Sequence, residues 1–317
     1  MILALAGGVG GAKLAKGLAE VLGPRELTIV VNTGDDFEHL GLNISPDLDT
    51  VMYTLAGISD ALRGWGLAGE SWNFMEQLET LGGETWFRLG DRDLATHVQR
   101  TRCLREGLSL SRATQSLCAS LGVAHAIVPM SDDPVRTLVH TAAGVRGFQD
   151  CFVRQRAEPM VTRLEHEGAD AARIAAGFRE ALNDSGLRAV IICPSNPYLS
   201  IAPILALPGV REALTRRRVP AIAVSPIVAG QAIKGPAAKI MRELGSEPSS
   251  LAVARFHEGL LDGLVVDRAD AVLAGAIERC GMRCFVTDTV MRVPGDRAAL
   301  ARRVLEFAGM RAASATS

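Results

Sequence analysis

The chain has 317 residues, 48% of them hydrophobic, and its 34 basic side chains nearly balance its 35 acidic ones. A chain of this length buries about 75% of the surface that its unfolded form exposes, which suits one large α/β domain or two small ones. The balanced charge excludes a general basic field for nucleic acid and an acidic tail for a basic partner.

The six cysteines and the apolar segments indicate a cytoplasmic protein with free thiols. No Cys-x-x-Cys pair occurs, and Cys280 and Cys284 have no second pair of Cys or His at the spacing of a zinc site. The N-terminus has neither a charged leader nor a cleavable apolar stretch. Residues 201–210 are the most apolar region, but Pro203 and Pro208 interrupt it and it is too short to span a bilayer.

Short apolar runs rich in β-branched residues alternate with longer helical patterns along the chain. Near-continuous hydrophobicity is typical of strands covered on both faces, and it predicts strands at residues 2–6, 27–32, 126–129, 189–193, 221–225, 264–267 and 284–287. Amphipathic patterns predict helices at residues 12–22, 93–106, 110–121, 171–182, 269–280 and 298–308. This order predicts a doubly wound, mostly parallel Rossmann-like α/β sheet with right-handed crossovers.

The region after the second predicted strand has a different character. Residues 50–122 contain several helical patterns and no convincing strand, so we predict a helical insertion that could cover the carboxyl edge of the sheet. We also predict a hairpin, formed by residues 137–141 and 145–152 with its turn near Gly144. No composition shift marks a linker, so we expect a single domain over residues 1–311 and a disordered, small and polar tail at 312–317.

The first candidate site is a glycine-rich turn that follows the first predicted strand and opens a helix. Gly7, Gly8, Gly10 and Gly11 would let backbone N–H groups approach a phosphate, which the helix N-terminus also favours. The alternative is a tight turn that needs glycine only for its backbone angles. We expect a phosphate or nucleotide to bind here.

Two familiar nucleotide motifs do not fit this turn. A Walker A loop needs Gly and then Lys-Ser/Thr, where the chain has Ala12, Lys13 and Leu14. The dinucleotide fingerprint needs a small residue in place of Lys13 and an acid at the end of the second strand, where the chain has Asn32. The sequence therefore disfavours both NAD and P-loop triphosphatase chemistry.

Two pairs of acids follow the second predicted strand. Asp35 and Asp36 lie at its carboxyl end, where adjacent carboxylates can hold a hard cation or abstract a proton, unless one of them caps the next segment. Asp47 and Asp49 are two residues apart, so in extended backbone both would face the same side; a helix N-cap is the alternative. Magnesium (Mg2+) is the expected counter-ion, because diphosphate chemistry needs charge neutralised at phosphorus.

A basic and acidic segment precedes the helix predicted at 93–106. Arg88 and Arg92 could bind phosphate or acidic substrate oxygens, while Asp91 or Asp93 could simply cap the helix. His97 lies within that helix and is expected to make a polar contact rather than act as a base.

Polar loops also follow two later predicted strands, at 189–193 and 221–225. Ser195 and Asn196 stand between prolines, the second of which is Pro197, and this arrangement predicts a rigid binding loop. Residues 225–227 and 234–237 form another strand end and glycine turn. Carboxyl ends of parallel strands face one crevice, so these segments should converge there.

These motifs, in this order, resemble the CofD family of transferases, called FbiA in mycobacteria, which build coenzyme F-420. The resemblance spans nearly the whole chain and is carried by residues 7–11, 31–36, 46–50, 89–97, 129–133, 194–197, 225–227, 235–237 and 260–263. It implies a magnesium-dependent enzyme that transfers a phospho-acid from a guanosine diphosphate ester to Fo, a 5-deazariboflavin. GMP is released and coenzyme F-420-0 or its dehydro form results.

The resemblance leaves three donors open, namely lactyl-2-diphospho-5'-guanosine and its enolpyruvyl and glyceryl counterparts. It also implies a homodimer. It assigns nucleotide binding to Gly7, Gly8, Gly10, Gly11, Lys13, Asn32, Ser195, Asn196 and Pro197.

The remaining assignments concern the acceptor, the metal and the chemistry. Asp49 and Arg88 correspond to contacts with Fo, and Asp35, Asp36 and Asp47 would hold the metal. Asp49, with Asp47 beside it, would orient or deprotonate the acceptor hydroxyl. The alternatives are a non-catalytic sugar-nucleotide or dinucleotide-binding regulatory protein of the same fold and an NAD-dependent oxidoreductase.

Overall fold

The computed structural model describes residues 1–310, so the tail predicted at 312–317 lies outside the described residues. The described residues form fourteen strands: β1 Ile2–Ala6, β2 Leu27–Val31, β3 Phe37–His39, β4 Leu42–Ile44, β5 Ala126–Pro129, β6 Arg136–Thr141, β7 Gly144–Gly147, β8 Val161–Glu167, β9 Ala189–Ile192, β10 Ala221–Val224, β11 Ile227–Val228, β12 Gln231–Ala232, β13 Gly263–Asp267 and β14 Arg283–Thr287.

Over the same residues the chain forms twelve α-helices: α1 Gly8–Val21, α2 Pro46–Ala56, α3 Asn73–Thr80, α4 Asp91–Arg105, α5 Leu110–Ser120, α6 Ala176–Asn183, α7 Ala202–Ala206, α8 Val210–Arg216, α9 Ala237–Glu243, α10 Ser250–Phe256, α11 Ala274–Glu278 and α12 Pro294–Phe307. Within residues 1–310, no helix is long and apolar enough to cross a bilayer.

The central sheet has seven parallel strands in the order β14-β13-β10-β9-β1-β2-β5, which confirms the predicted α/β fold and all seven predicted strands. The chain runs outward from β1 to β5, returns to pair β9 with the other side of β1, and then runs outward to β14. The strand order therefore reverses between β1 and β9. Ligands of open α/β sheets bind outside the carboxyl ends of strands at such a reversal.

Both faces of the sheet are covered, which explains the continuous hydrophobicity of its strands. Side chains of β1 alternate between two apolar clusters: Ile2, Ala4 and Ala6 belong to one, Leu3 and Leu5 to the other. The first cluster includes residues of α1, α2 and α12, and the second includes residues of α6 to α10. A strand buried on both faces has no polar side to alternate with.

Three smaller antiparallel sheets accompany the central sheet within the described residues: β7-β6-β8, β3-β4 and β11-β12. The predicted hairpin is present as β6 and β7, but β8 pairs with the other side of β6 to give three strands. A second hairpin, β3–β4, was not predicted. Leu40 and Gly41 both have positive φ (54° and 72°), as a tight hairpin turn of the type I′ class requires.

Several predicted helices have different bounds. The helix predicted at 12–22 begins earlier, at Gly8, because the glycine-rich turn itself forms the first helical turn. The helix predicted at 171–182 begins only at Ala176, and the one predicted at 269–280 divides into a 3₁₀ segment, Arg268–Leu273, and α11. Residues 50–122 contain the rest of α2 and then α3, α4 and α5.

Candidate functional site

The glycine-rich turn lies at the carboxyl end of β1 and contacts the segment after β9. A Cβ on Gly7 would overlap the Asp47 carboxylate, and one on Gly10 would overlap the Pro194 carbonyl oxygen. Gly8 has a φ of 64°, which L side chains rarely adopt. The Gly7 amide donates to Ser195 Oγ (3.0 Å) and the Gly8 amide to Asp47 Oδ1 (2.7 Å). Glycine is therefore required for close approach as well as for backbone angles.

This crowding predicts the effect of a single added methyl. The resemblance implies that GDP binds at this turn, and on that expectation Gly10→Ala should weaken GDP binding about 5- to 150-fold. The added Cβ overlaps the Pro194 carbonyl oxygen and displaces the turn, at a cost on the order of 1–3 kcal/mol. Gly295→Ala is the control, since a Cβ there meets no heavy atom within 4 Å. Calorimetric titration with GDP measures the affinity of each variant, and equal affinities of Gly10→Ala and Gly295→Ala would contradict the prediction.

A cavity of about 270 Å³ opens beside this turn, and we call it the glycine-loop cavity. Its walls come from the strand ends on both sides of the β1/β9 reversal. It is lined by Gly7, Gly8, Val9, Gly10, Lys13, Asp35, Pro46, Asp47, Phe148, Gln149, Pro194, Ser195, Asn196, Leu199, Ser200, Ser225, Pro226, Val228, Ile233, Lys234, Gly235, Pro236, Ala237, Thr289, Val290 and Met291. The polar loops predicted to converge on one crevice therefore do so.

Most of the predicted nucleotide-binding residues line this cavity, but Gly11, Asn32 and Pro197 lie behind its wall. Asn32 is fully buried and donates from Nδ2 to Asp47 Oδ2 (3.0 Å), so it holds the aspartate in place. Lys13 Nζ donates to the Met291 carbonyl (2.9 Å), and burial lowers the pKa of Lys13. These contacts fix one cation and one carboxylate in the lining of the glycine-loop cavity.

Asp47 and Asp49 do not face the same side, and the expectation based on extended backbone is wrong. Both lie in the first turn of α2, which begins at Pro46. Residues two apart in an α-helix point about 200° apart around its axis. Asp47 therefore lines the glycine-loop cavity, while Asp49 lines a different one.

That second cavity has a volume of about 380 Å³ and an aromatic wall, and we call it the aromatic cavity. It is lined by Ile44, Pro46, Asp49, Thr50, Tyr53, Trp65, Gly66, Trp86, Phe87, Arg88, Asp93, His97, Gln149 and Val153. Flat rings and a few polar groups suit a planar, partly polar ligand. Arg88, predicted from the sequence, also stacks its guanidinium over Trp72 at 4.2 Å.

The floor of the aromatic cavity is a buried network of charged side chains between α2 and α4. Asp49 forms an ion pair with Arg100, and its Oδ2 lies 3.7 Å from His97 Nδ1. His97 Nε2 lies 3.4 Å from Asp93 Oδ2, and the Tyr53 hydroxyl donates to Asp93 Oδ1 (2.7 Å). Burial raises the pKa of Asp49, while Arg100 and His97 oppose that shift.

Sequence reasoning missed Arg100, although a signal for it exists. Asp93, His97 and Arg100 are spaced i, i+4 and i+7, so they form one polar stripe on α4. A polar stripe that faces the protein rather than solvent indicates a site, and each of these three side chains is buried. The aromatic residues Trp86 and Phe87 were missed because no motif marks their loop.

Helix capping in this region also differs from the expected alternatives. The helix α4 begins at Asp91, but Glu70 caps it by accepting the amides of Arg92 (2.8 Å) and Asp93 (2.9 Å). Asp91 instead accepts from the Ser71 hydroxyl and from the first amides of α3, and the Ser71 bond comes first among the contacts that lower the pKa of Asp91 to about 2. Arg92 donates to the Ala68 carbonyl and lines neither cavity.

The remaining acids differ in their access to the glycine-loop cavity. Asp35 lines it, and its buried Oδ1 has no partner among the described residues. Burial first, and then the charges of Asp47 and Asp36, raise the pKa of Asp35 well above its usual range. Asp36 lines neither cavity, and its Oδ2 accepts from the Ser45 hydroxyl (2.7 Å).

Within the described residues, no group of three or more His, Cys, Asp or Glu side chains is arranged to hold a metal ion together. The predicted trio of Asp35, Asp36 and Asp47 is therefore not a preassembled set of ligands. Asp35 and Asp47 still face the same cavity, and one Asp35 oxygen is unpartnered. Such a pair fits Mg2+, which is commonly bound by one or two carboxylates together with substrate phosphates.

The burial of Asp36 has a consequence for pH dependence. Its pKa is raised from 3.8 to about 7, so between these values the unfolded chain releases a proton that the folded protein keeps. Stability is therefore lost as pH rises from 4 to 7, by up to about 4 kcal/mol for this group. We expect Asp36→Asn to gain stability relative to wild type between pH 4.5 and 8. Urea unfolding in the presence of a chelator measures the free energy of unfolding of both proteins at each pH. A difference between the two proteins that does not change with pH would contradict the prediction.

The glycine-loop cavity and the aromatic cavity share two lining residues, Pro46 and Gln149. They are thus adjacent and separated by only one wall. Neither residue was singled out as functional from the sequence, since Gln149 lies in a segment without a recognised motif.

Comparison with known proteins agrees with this architecture. Residues 2–290 match the family model described as 2-phospho-L-lactate transferase CofD. The chain is 41% identical over 315 residues to a phosphoenolpyruvate transferase of Streptomyces griseus, covering 97% of this chain and 98% of that protein. It is 43% identical over 290 residues to a 2-phospho-L-lactate transferase of Methanosarcina acetivorans, covering 92% of this chain and 93% of that protein.

Among solved structures, a crystal structure of a UPF0052 family member from Bacillus halodurans shares the fold. Its TM-score is 0.60 at 16% identity, with 96% of this chain and 98% of that chain covered. Because the family model spans nearly the whole sequence and both relatives align along nearly their full length, the chain belongs to the CofD family and is a transferase.

Proposed function

We propose that the protein transfers the phospho-acid of a guanosine diphosphate ester to the deazaflavin Fo in coenzyme F-420 biosynthesis. The family and the names of its relatives support transfer of phospho-lactate or of its enolpyruvyl counterpart. The observation that carries the proposal is a phosphate-type cavity and an aromatic cavity that share one wall. A group-transfer enzyme needs two substrates within bonding distance of each other.

The donor suits the glycine-loop cavity. The amides and dipole at the start of α1 favour a diphosphate, and Lys13 and Lys234 add positive charge to the lining. Ser195 and Asn196 line the same cavity from the segment after β9, so they can contact the nucleoside portion.

The acceptor suits the aromatic cavity. Trp65, Trp86 and Phe87 offer flat apolar surface to a tricyclic deazaflavin, and Arg88 and Asp49 offer polar contacts. The ribityl chain would then point toward the shared wall, with its terminal hydroxyl near the donor.

In the proposed reaction the terminal ribityl oxygen attacks the phosphorus that bears the acid. An oxygen–phosphorus bond forms, the bond from that phosphorus to the bridging oxygen breaks, and GMP leaves with the bonding electron pair. Asp49, whose Oδ2 has no hydrogen-bond partner within residues 1–310, orients the hydroxyl and receives its proton. The product is the phosphodiester F-420-0 or its dehydro form.

Asp35 and Asp47, which line the glycine-loop cavity, would hold magnesium, whereas Asp36 lines neither cavity. When bound, Mg2+ would neutralise charge on the diphosphate oxygens. Asn32 and the Gly8 amide already fix the orientation of Asp47, which keeps this carboxylate aimed at the cavity.

The test is product formation by the purified protein. Fo, Mg2+ and each of the lactyl, enolpyruvyl and glyceryl donors are mixed in turn, and mass spectrometry identifies the diester and GMP. Equimolar GMP and diester with at least one donor are expected, and chelation of magnesium should stop the reaction. A protein that binds nucleotide but neither quenches Fo fluorescence nor releases GMP would be the non-catalytic regulator instead.

The same proposal includes a single domain and a cytoplasmic location, as the sequence indicates, and a homodimer, as the family resemblance implies. Sedimentation of the purified protein at micromolar concentration measures the subunit number directly, and a monomer there would contradict the dimer.

A further inference from the structure

The wall between the two cavities consists of Pro46 and Gln149, and this wall bears on how the transferred group is held. The inference rests on the proposed function, because it concerns the acid that passes from donor to acceptor. It uses only the placement of the cavities and the geometry of substitution at phosphorus.

In phosphoryl transfer the attacking and leaving oxygens lie roughly in line through phosphorus. The attacking hydroxyl arrives from the aromatic cavity, and GMP departs into the glycine-loop cavity, so this line passes through the junction of the two. The acid is bonded to the same phosphorus and must project sideways from the line. It is therefore pressed against the residues that line both cavities.

Of those two residues only Gln149 has a polar side chain. Gln149 is 6% exposed, and the only hydrogen bond that its side chain makes among the described residues is a long one of 3.4 Å from Nε2 to the Asp35 carbonyl. A side-chain amide nitrogen carries two N–H donors, so one remains for a ligand. The cations nearby are divided between the cavities: Lys13 and Lys234 line only the glycine-loop cavity, and Arg88 lines only the aromatic cavity.

We propose that Gln149 donates its side-chain N–H to the carboxylate of the transferred three-carbon acid and so holds that acid beside the line of attack. Lactate, enolpyruvate and glycerate share this carboxylate, so Gln149 recognises what the donors have in common. A neutral amide binds the carboxylate without adding a counter-charge at the reacting phosphorus.

The first test asks whether Gln149 acts on the transferred acid rather than on the guanosine nucleotide or on Fo. Gln149→Ala should leave the affinities for GDP and for Fo within about twofold of wild type, because neither ligand contains the acid. The same substitution should lower kcat/KM about 10- to 100-fold, which is the effect expected when a hydrogen bond to a charged group is lost. Gln155→Ala is the matched control. Gln155 lies on the same segment, bonds to Asp150 at 3.0 Å and lines neither cavity.

The second test asks whether the carboxylate is the recognised group. The guanosine diphosphate ester of isopropanol keeps the branched skeleton of the lactyl donor but has a methyl in place of its carboxylate. Wild type should prefer the lactyl donor about tenfold or more over this ester, and Gln149→Ala should lose most of that preference, since removal of either partner breaks the same bond.

The outcomes distinguish failure of the proposed function from failure of the proposed role of Gln149. No turnover by wild type with any donor would overturn the proposed function itself. If wild type is active and Gln149→Ala keeps its preference for the lactyl donor, Gln149 does not hold the carboxylate. Parallel losses of GDP and Fo affinity in Gln149→Ala, absent in Gln155→Ala, would show a structural role instead.

Discussion

Asp49→Asn is expected to lower the rate of transfer about 10²- to 10⁴-fold, the range typical for loss of a group that accepts a proton in the reaction. Asparagine keeps the size of the side chain, but its amide cannot take the hydroxyl proton. Because Asp49 lines the aromatic cavity and not the glycine-loop cavity, the affinity for GDP should stay unchanged. Single-turnover measurements of GMP release, together with GDP titration, check both expectations.

The same substitution removes the carboxylate partner of Arg100, so the folded state must be verified separately. Near-ultraviolet circular dichroism and a urea unfolding curve at the assay temperature serve this purpose. Full turnover by a folded Asp49→Asn protein would exclude Asp49 as the proton acceptor.

Arg100→Met is expected to lower the free energy of unfolding by about 3–5 kcal/mol, because removing one member of a buried ion pair leaves the other charge uncompensated. Arg100 is only 1% exposed, and Asp49 at 5% has little access to water that could replace it. Urea unfolding at neutral pH measures the loss.

Arg102→Met is the matched control on the same helix. The side chain of Arg102 is 58% exposed and forms an i,i+4 pair with Glu106, and such surface pairs contribute about 0–1 kcal/mol. The double variant Asp49→Asn/Arg100→Met should recover part of the stability lost in Arg100→Met, since no lone charge is then buried. Equal losses for Arg100→Met and Arg102→Met would mean that the buried pair does not stabilise the fold.

The central sheet could be predicted from the sequence because each of its strands is apolar on both faces. The strands that were missed lack this property. β8 has only two apolar residues, Val161 and Leu164, of which only Val161 is buried. β3 and β4 have three residues each, too few for a periodic pattern.

The site was predictable where it depends on sheet topology and not where it depends on helix orientation. Loops after β1, β2 and β9 converge because parallel strands end at one edge. The directions of Asp47 and Asp49 were wrong because the segment was treated as extended. Pro46 followed by two acids is a signature of a helix N-terminus, and it would have placed them on different faces.

The polar stripe on α4 marks Arg100 in the sequence, but the partners of Arg100 and of Gln149 could not be identified from one sequence, for a physical reason. Each acts through partners distant in the chain: Arg100 through Asp49, 51 residues away, and Gln149 through the Asp35 carbonyl, 114 residues away. Arg100 reaches the floor of the aromatic cavity because α4 packs against α5 and β4, and Gln149 reaches the cavities because the segment after β7 lies against Asp35.

The central position of β1 has a consequence during synthesis on the ribosome. β1 can pair with β2 early, but its other edge waits for β9, whose pairing extends to Ile192. At translation rates of about 5–20 residues per second this interval lasts on the order of 10 s. An apolar strand edge is exposed during this interval and can pair with the wrong partner. We therefore expect nascent chains shorter than about 190 residues to associate with chaperones and to lack a complete glycine-loop cavity.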